Sequence, residues 1–149
     1  MKCRHCNNTL KNKFVDLGTA PPSNAYLTEA DLNRYEEYYP LKIWVCDSCY
    51  LVQTEDFHAP EKLFRHDYAY FSGTSTTWLA HVKKYSYDIS KELNLSTKSF
   101  VIEIGSNDGS LLKNFNDLSI PCLGIEPTSA VADFSESIGI KVLRDFFSE

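Results

Sequence analysis

Apolar residues along the chain form short runs at the start, a helical stripe in the middle and compact strand-like runs at the end. Phe14-Val15-Asp16-Leu17 and Leu41-Lys42-Ile43-Trp44-Val45 are short apolar runs among turn-forming residues, and the stretch Trp44 to Val52 looks like two strands flanking a knuckle, a hairpin. Between them, Gly18 to Asn24 holds Pro21-Pro22, a turn or extended segment that lacks the backbone donors of a helix. Thr28 to Tyr39 is expected to be helical, with Thr28 as N-cap and Asp31 three residues on as a weaker version of the capping box. Beyond the segment His66 to Thr77 the period changes. Trp78, Val82, Tyr85 and Ile89 recur at helical spacing with Lys83, Lys84 and Lys91 among the polar positions, and this stripe is expected to pack on the next domain.

The last third alternates strand and helix. Phe100 to Ile104 is a nearly continuous apolar run, the signature of a strand buried on both faces of a parallel sheet. Ser110 to Leu118 then reads as a helix, Cys122 to Ile125 as a strand, Ser129 to Ile138 as a helix and Lys141 to Leu143 as a third strand. Such alternation predicts an α/β fold, the first half of a Rossmann-like doubly wound parallel sheet. The strand beyond the switch point would come next, so the chain is expected to be a fragment whose open edge could drive self-association. The expected organisation is residues 1–60 as a small module, 61–98 as a helical linker and 99–149 as the half sheet.

Composition narrows the function classes. With 43% hydrophobic and 23% charged residues the chain is globular. A net charge of -5 with scattered Lys and Arg offers no footprint for nucleic acid. No apolar stretch approaches the roughly 20 residues that cross a bilayer, and Met1-Lys2-Cys3-Arg4-His5-Cys6 lacks the apolar core of a secretory signal. The cytoplasm is the expected location.

There the cysteines acquire meaning, because thiols in a reducing compartment bind metal more often than they pair. Cys3-x-x-Cys6 and Cys46-x-x-Cys49 are two paired-thiolate knuckles, each able to present two sulfurs to one ion. Zinc is the expected metal, in a closed site that is structural and not catalytic. The wide separation of the pairs predicts an inserted loop and helix. His5 is an alternate ligand, and Cys122 falls in a predicted strand as a core residue.

Glu103-Ile104-Gly105-Ser106-Asn107-Asp108-Gly109 joins the first strand of the α/β half to its helix. Gly105 permits a sharp turn and close approach of a ligand, Gly109 close helix packing, and Asn107 stands where a dinucleotide loop has its middle glycine. Asn tolerates positive φ, so the turn survives. Glu126, about twenty residues on at the end of the next strand, is where an acid accepts hydrogen bonds from ribose hydroxyls.

Strand-Glu-x-Gly-x-x-x-Gly followed by strand-Glu is similar to the class I S-adenosylmethionine methyltransferases. Together with the CxxC pairs, the segment His66-Asp67-Tyr68-Ala69-Tyr70-Phe71-Ser72-Gly73-Thr74-Ser75, Trp78, Gly124-Ile125-Glu126-Pro127 and Asp145-Phe146-Phe147, it resembles the zinc-containing sugar C-methyltransferases. That resemblance implies an N-terminal zinc module, a cofactor domain and a substrate domain further along. It implies methyl transfer to a carbon beside the keto group of a nucleotide-linked deoxysugar. Glu103 and Gly105 would lie by the methionine moiety of the cofactor, with Asn107, Asp108 and Gly109 in the same loop. Glu126 would hold the ribose, Asp145 or Phe146 would lie near the adenine, and the Tyr68 to Trp78 segment would border cofactor and sugar. Tyr70 is the candidate for substrate contact. His58, His66 and His81 have no orienting carboxylate in the sequence, and the general base is expected in a later part of the enzyme. Two other readings stand beside this one: a zinc-dependent interaction module on a non-catalytic scaffold, and a nicotinamide-dependent enzyme sharing the ribose acid.

Overall fold

The computed structural model of the chain describes residues 1–57, 59–65 and 67–148. These form two compact units, Met1–Leu63 and Phe64–Glu149. The first is an antiparallel sheet of β1 (Asn12–Ala20), β2 (Tyr39–Val45) and β3 (Val52–Thr54), in that order. β2 and β3 flank the second CxxC turn as a hairpin, with Val45 opposite Val52 and Trp44 opposite Gln53. β1 is irregular, with register shifts between Lys13 and Val15 and between Asp16 and Thr19. The second irregularity contains Gly18, whose N–H donates to the Asp16 carboxylate at 3.1 Å.

The helix expected over Thr28 to Tyr39 does not form. Only a single 3-10 turn, Glu29–Asp31, follows Thr28, whose N–H donates to the Asp31 carboxylate at 3.0 Å. The start signal is therefore genuine, but nothing sustains the helix. Leu32 and Tyr35 are exposed by 68% and 86%, so the segment has no apolar face to bury, and short helices are marginal without tertiary packing. What separates the two cysteine pairs is β1, a long irregular stretch around this turn and β2, so the expected loop is present and the expected helix is not.

The second unit opens with α1 (Thr76–Glu92), capped by Ser75, whose hydroxyl accepts the Trp78 N–H at 3.2 Å. Of the predicted stripe, Val82 is buried and Ile89 packs against the core, whereas Trp78 and Tyr85 are exposed. The buried line runs instead through Val82, Ser86 and Ile89; Ser86 is accommodated by donating its hydroxyl to the Val82 carbonyl at 2.8 Å. Then come β4 (Val101–Ile104), α2 (Leu112–Asp117), β5 (Cys122–Ile125), α3 (Ser129–Ser137) and β6 (Val142–Leu143). The sheet is parallel with order β4-β5-β6. It is the arrangement of one half of a doubly wound sheet, as the strand and helix alternation predicts.

Leu112, Phe115, Ile120 and Ile140 form the core, with Val101, Cys122 and Ile138 packed against them. The expectation that Phe100 to Ile104 is buried on both faces needs correction. Val101 and Glu103 are half-buried, while Ile102 and Ile104 are exposed by 54% and 58%. Two successive crossovers that advance in the same direction, each right-handed, place both helices on one side of the sheet. The other face has no covering element among the described residues. Alternation along β4 therefore turns Glu103, not Ile102, toward the side of Val101.

Gly109 is demanded by packing as well as by conformation. Its φ is +75, and a Cβ there would lie 2.4 Å from the Ser135 hydroxyl oxygen and 3.3 Å from Ile140. The neighbour that forbids a side chain is thus α3 and the turn after it. Gly105 has φ +69 but only open space where a Cβ would point. Gly109→Ala should cost about 2–4 kcal/mol, from left-handed strain and overpacking together, and Gly105→Ala about 1–2 kcal/mol from strain alone. Urea unfolding followed by circular dichroism measures both, and equal losses would refute the packing account.

Candidate metal centre and glycine-loop site

The two CxxC segments fold into the same turn. Asn7 and Tyr50, each directly after the second cysteine of its pair, have positive φ of 61 and 62. Each donates its N–H back to the carbonyl of the first cysteine, Asn7 to Cys3 at 2.9 Å and Tyr50 to Cys46 at 3.0 Å. Each first cysteine in turn donates its N–H across the turn, Cys3 to Asn8 at 2.8 Å and Cys46 to Leu51 at 3.0 Å. A left-handed Asn is ordinary, but a left-handed Tyr is not, and nothing in the sequence signals it. The turn bends each chain so that both sulfurs of a pair face the other pair.

All four sulfurs lie within 4.8 Å of one another. Cys3 approaches Cys49 at 3.6 Å and Cys6 approaches Cys46 at 3.6 Å, so each contact joins one pair to the other. A covalent bridge would be about 2.05 Å, whereas the edge of a tetrahedron with Zn–S bonds of about 2.3 Å is about 3.8 Å. The donor set and its spacing fit zinc. Cys3 and Cys46 are fully buried and pack with Leu10, Trp44 and Leu51. Crowding divides the thiols. The Cys6 N–H is the main influence holding Cys3 down to about 6. At Cys49 the Leu51 N–H acts downward, but burial and the neighbouring sulfurs push the thiol up to about 12. Among uncharged neighbours only some of these groups can ionise; a cation removes that conflict.

In the second unit the glycine loop is tied to the end of β5. Gly105 and Ser106 donate their N–H groups to the Ile125 carbonyl at 2.9 and 3.2 Å. Glu126 is buried, and its two oxygens accept the N–H groups of Asn107 and Thr128, each at 2.9 Å. The carboxylate predicted to hold a ribose is thus also the brace that joins the loop to α3. Asn107 has the positive φ its position requires, 50.

Asn107 and Asp108 turn their side chains to the preceding segment, a role the sequence does not reveal. Asn107 accepts the Ser72 N–H at 2.9 Å and donates its Nδ2–H to the Tyr70 carbonyl at 3.0 Å. Asp108 accepts the Gly73 N–H at 2.7 Å and the Ser110 N–H at 3.2 Å. A Cβ at Gly73 would come within 2.8 Å of the Ser110 hydroxyl, so only glycine fits beneath this clamp. The clamp fixes the backbone of Tyr70 while the residue stays 51% exposed. Phe71 packs edge-on against Phe134, and Phe146 edge-on against Phe64. Asp145 is exposed beyond β6. His81 stacks on Trp78 in α1, and His58 and His66 lie outside the described residues.

Glu103 is the chemically unusual group. It lies on the helix side of β4, and its Oε2 is buried without a hydrogen-bond partner. Burial, with the charges of Asp108 and Glu126 adding to it, pushes its carboxyl up to about 7. An unpaired acceptor beside the open space at Gly105 suits a cationic ligand group such as an ammonium.

Comparison with known proteins bears on both units. Residues 3–64 match a protein-family model described as "Putative zinc binding domain". Over 147 residues, 99% of the chain, the sequence is 25% identical to C-methyltransferase NovU of Streptomyces niveus. The match covers 35% of that relative, so the chain spans about a third of its length. Both findings support the resemblance to the N-terminal portion of sugar C-methyltransferases that the motifs carry. No helix among the described residues is long and apolar enough to cross a membrane.

Two outcomes are expected. Cys46→Ser should release the metal and open residues 1–60 to limited proteolysis while the later strands resist, because small zinc modules draw their folding energy from the ion. Equal resistance in mutant and parent would count heavily against a structural zinc site. For Glu103, the folded pKa lies above the ordinary value of 4.5, so the folded state holds the proton more tightly than the unfolded chain. Its contribution is present below pH 4.5 and is lost as pH rises toward 7. Glu103→Gln should remove that loss, gaining on the order of 1–3 kcal/mol over the parent at pH 8 and little at pH 4.5. Urea titrations of both proteins at the two pH values test this.

Proposed function

We propose that the chain is the N-terminal part of an S-adenosylmethionine-dependent C-methyltransferase, with a nucleotide-linked keto-deoxysugar as the acceptor. The observation that carries this reading is similarity to a C-methyltransferase over 99% of the chain, through the cysteine pairs and the glycine loop alike. The zinc module and the α/β half are thereby read as parts of one enzyme and not as an interaction module on an idle scaffold. Cysteines free of disulfides suit a reducing, cytoplasmic setting.

When bound, the cofactor supplies an electrophilic methyl group on a sulfonium. The residues assigned to hold it are Glu103, Gly105, Asn107, Asp108, Gly109, Glu126, Asp145 and Phe146. Glu103 offers its unpaired Oε2 to the ammonium of the methionine moiety, a contact that would favour the ionised carboxylate. Gly105, with nothing in front of its Cα, lets the ligand approach the backbone. Asn107 and Asp108 act through the Tyr70–Gly73 clamp, which holds Tyr70 for contact with the acceptor. Methylation at carbon also needs a base to remove the proton beside the ketone and donors for the enolate oxygen. We assign both to the part of the enzyme beyond this chain.

Calorimetric titration of the zinc-loaded chain with S-adenosylhomocysteine, with NAD as comparison, tests the cofactor assignment. Saturable binding of the former alone is expected, weakened in Glu103→Gln. Binding of NAD alone would overturn it, and binding of neither would show that this chain does not form the site by itself.

A further inference from the structure

Gln53 lies at the centre of β3 with only 6% of its surface exposed, across from Trp44, which packs against the cysteine cluster. Its Oε1 accepts the N–H of Arg4, the residue after Cys3, at 3.1 Å. Because a backbone N–H can be met only by an acceptor, this bond decides which end of the carboxamide faces which way. Nε2 is left buried and without a closed hydrogen bond. The bond sets the carboxamide against the first knuckle, one residue from the fully buried Cys3. Arg4 adds two further ties to the same region, from Nη2 to the Thr54 carbonyl at 2.8 Å and to Asp56 at 3.1 Å. The first knuckle is thus knitted to β3 through Arg4, and Gln53 is presented to the metal centre as a consequence.

We propose that Gln53 is a positioning residue of the metal site, donating Nε2–H to the metal-bound Cys3 thiolate and fixing its orientation. A buried amide donor with no acceptor is unfavourable, and a ligated thiolate keeps lone pairs that accept hydrogen bonds. Four thiolates around a divalent ion carry a net charge of about 2−, so each N–H aimed at sulfur offsets surplus charge. The other identified donors are mainly backbone groups, such as Ser48 N–H to Cys46 at 3.4 Å. Gln53 is set apart by reaching the cluster from a strand and not from the knuckle itself, so it couples the fold of β3 to metal retention. The proposal rests on the zinc reading of the four cysteines.

Zinc content and transfer to a chromophoric chelator would be measured on the intact chain and on Gln53→Leu and Gln53→Glu. A parent that binds no zinc refutes the metal reading itself, and this proposal with it. With zinc bound, release about 10–100-fold faster than the parent is expected in both variants, the usual weight of an outer-shell partner. Gln53→Glu keeps the acceptor for the Arg4 N–H, loses the donor and adds a negative charge beside the thiolates, so parent-like release in that variant would overturn the proposal. The unmutated chain loaded with 113Cd provides a readout independent of the variants' folding. A through-bond coupling between the Gln53 side-chain amide proton and cadmium is expected, and its absence would equally overturn the proposal.

Discussion

Four sulfur atoms drawn within 4.8 Å of one another impose the governing constraint on the first unit. Thiols that close compete for ionisation, and a divalent cation converts their repulsion into the strongest local attraction available to a module with little core. Apart from the sulfurs, the buried apolar side chains here are few: Leu10 with parts of Trp44 and Leu51. β1 leaves Phe14 and Leu17 largely exposed. A module of this kind holds its strands by hydrogen bonds and its ends by metal, because burial alone does not suffice at this size.

The second unit is organised by the carboxyl end of β5. The Ile125 carbonyl and the Glu126 carboxylate between them take N–H groups from Gly105, Ser106, Asn107 and Thr128. That gathers the glycine loop and the start of α3 at the carboxyl ends of the strands, where open parallel sheets characteristically bind ligands. The Asn107 and Asp108 side chains extend the same arrangement backward to Tyr70–Gly73. In this unit the buried oxygens of Glu103, Ser90, Ser106, Thr128 and Ser135 lack partners, and Glu103 is the one carboxylate among these. It keeps an unpaired buried oxygen on a strand otherwise apolar on that side, and local departures of that kind concentrate where ligands bind.

Bringing the two units into one reading depends on similarity along the whole chain more than on either site. A four-cysteine site by itself suits many proteins, and a three-stranded parallel sheet suits more. Their occurrence in this order, beside a C-methyltransferase matched over 99% of the chain, gives the combination its meaning.

Sequence alone determined the strand and helix alternation of the second unit, the four cysteines and the positive φ at Asn107 in the glycine loop. These follow from local chemistry: period, spacing and the conformational freedom of Gly and Asn. It misled where the result depended on what lies alongside. The capping signal at Thr28 promised a helix that had no partner to bury against, and the apolar run at 100–104 promised two covered faces where helices cover one. Only the tertiary structure decided that Tyr50 adopts a left-handed conformation, that Asn107 and Asp108 clamp Tyr70–Gly73, and that Gln53 takes the N–H of Arg4. The clamp and the Gln53 bond join residues 35 to 49 positions apart, and no periodicity within a strand or helix carries information across that distance.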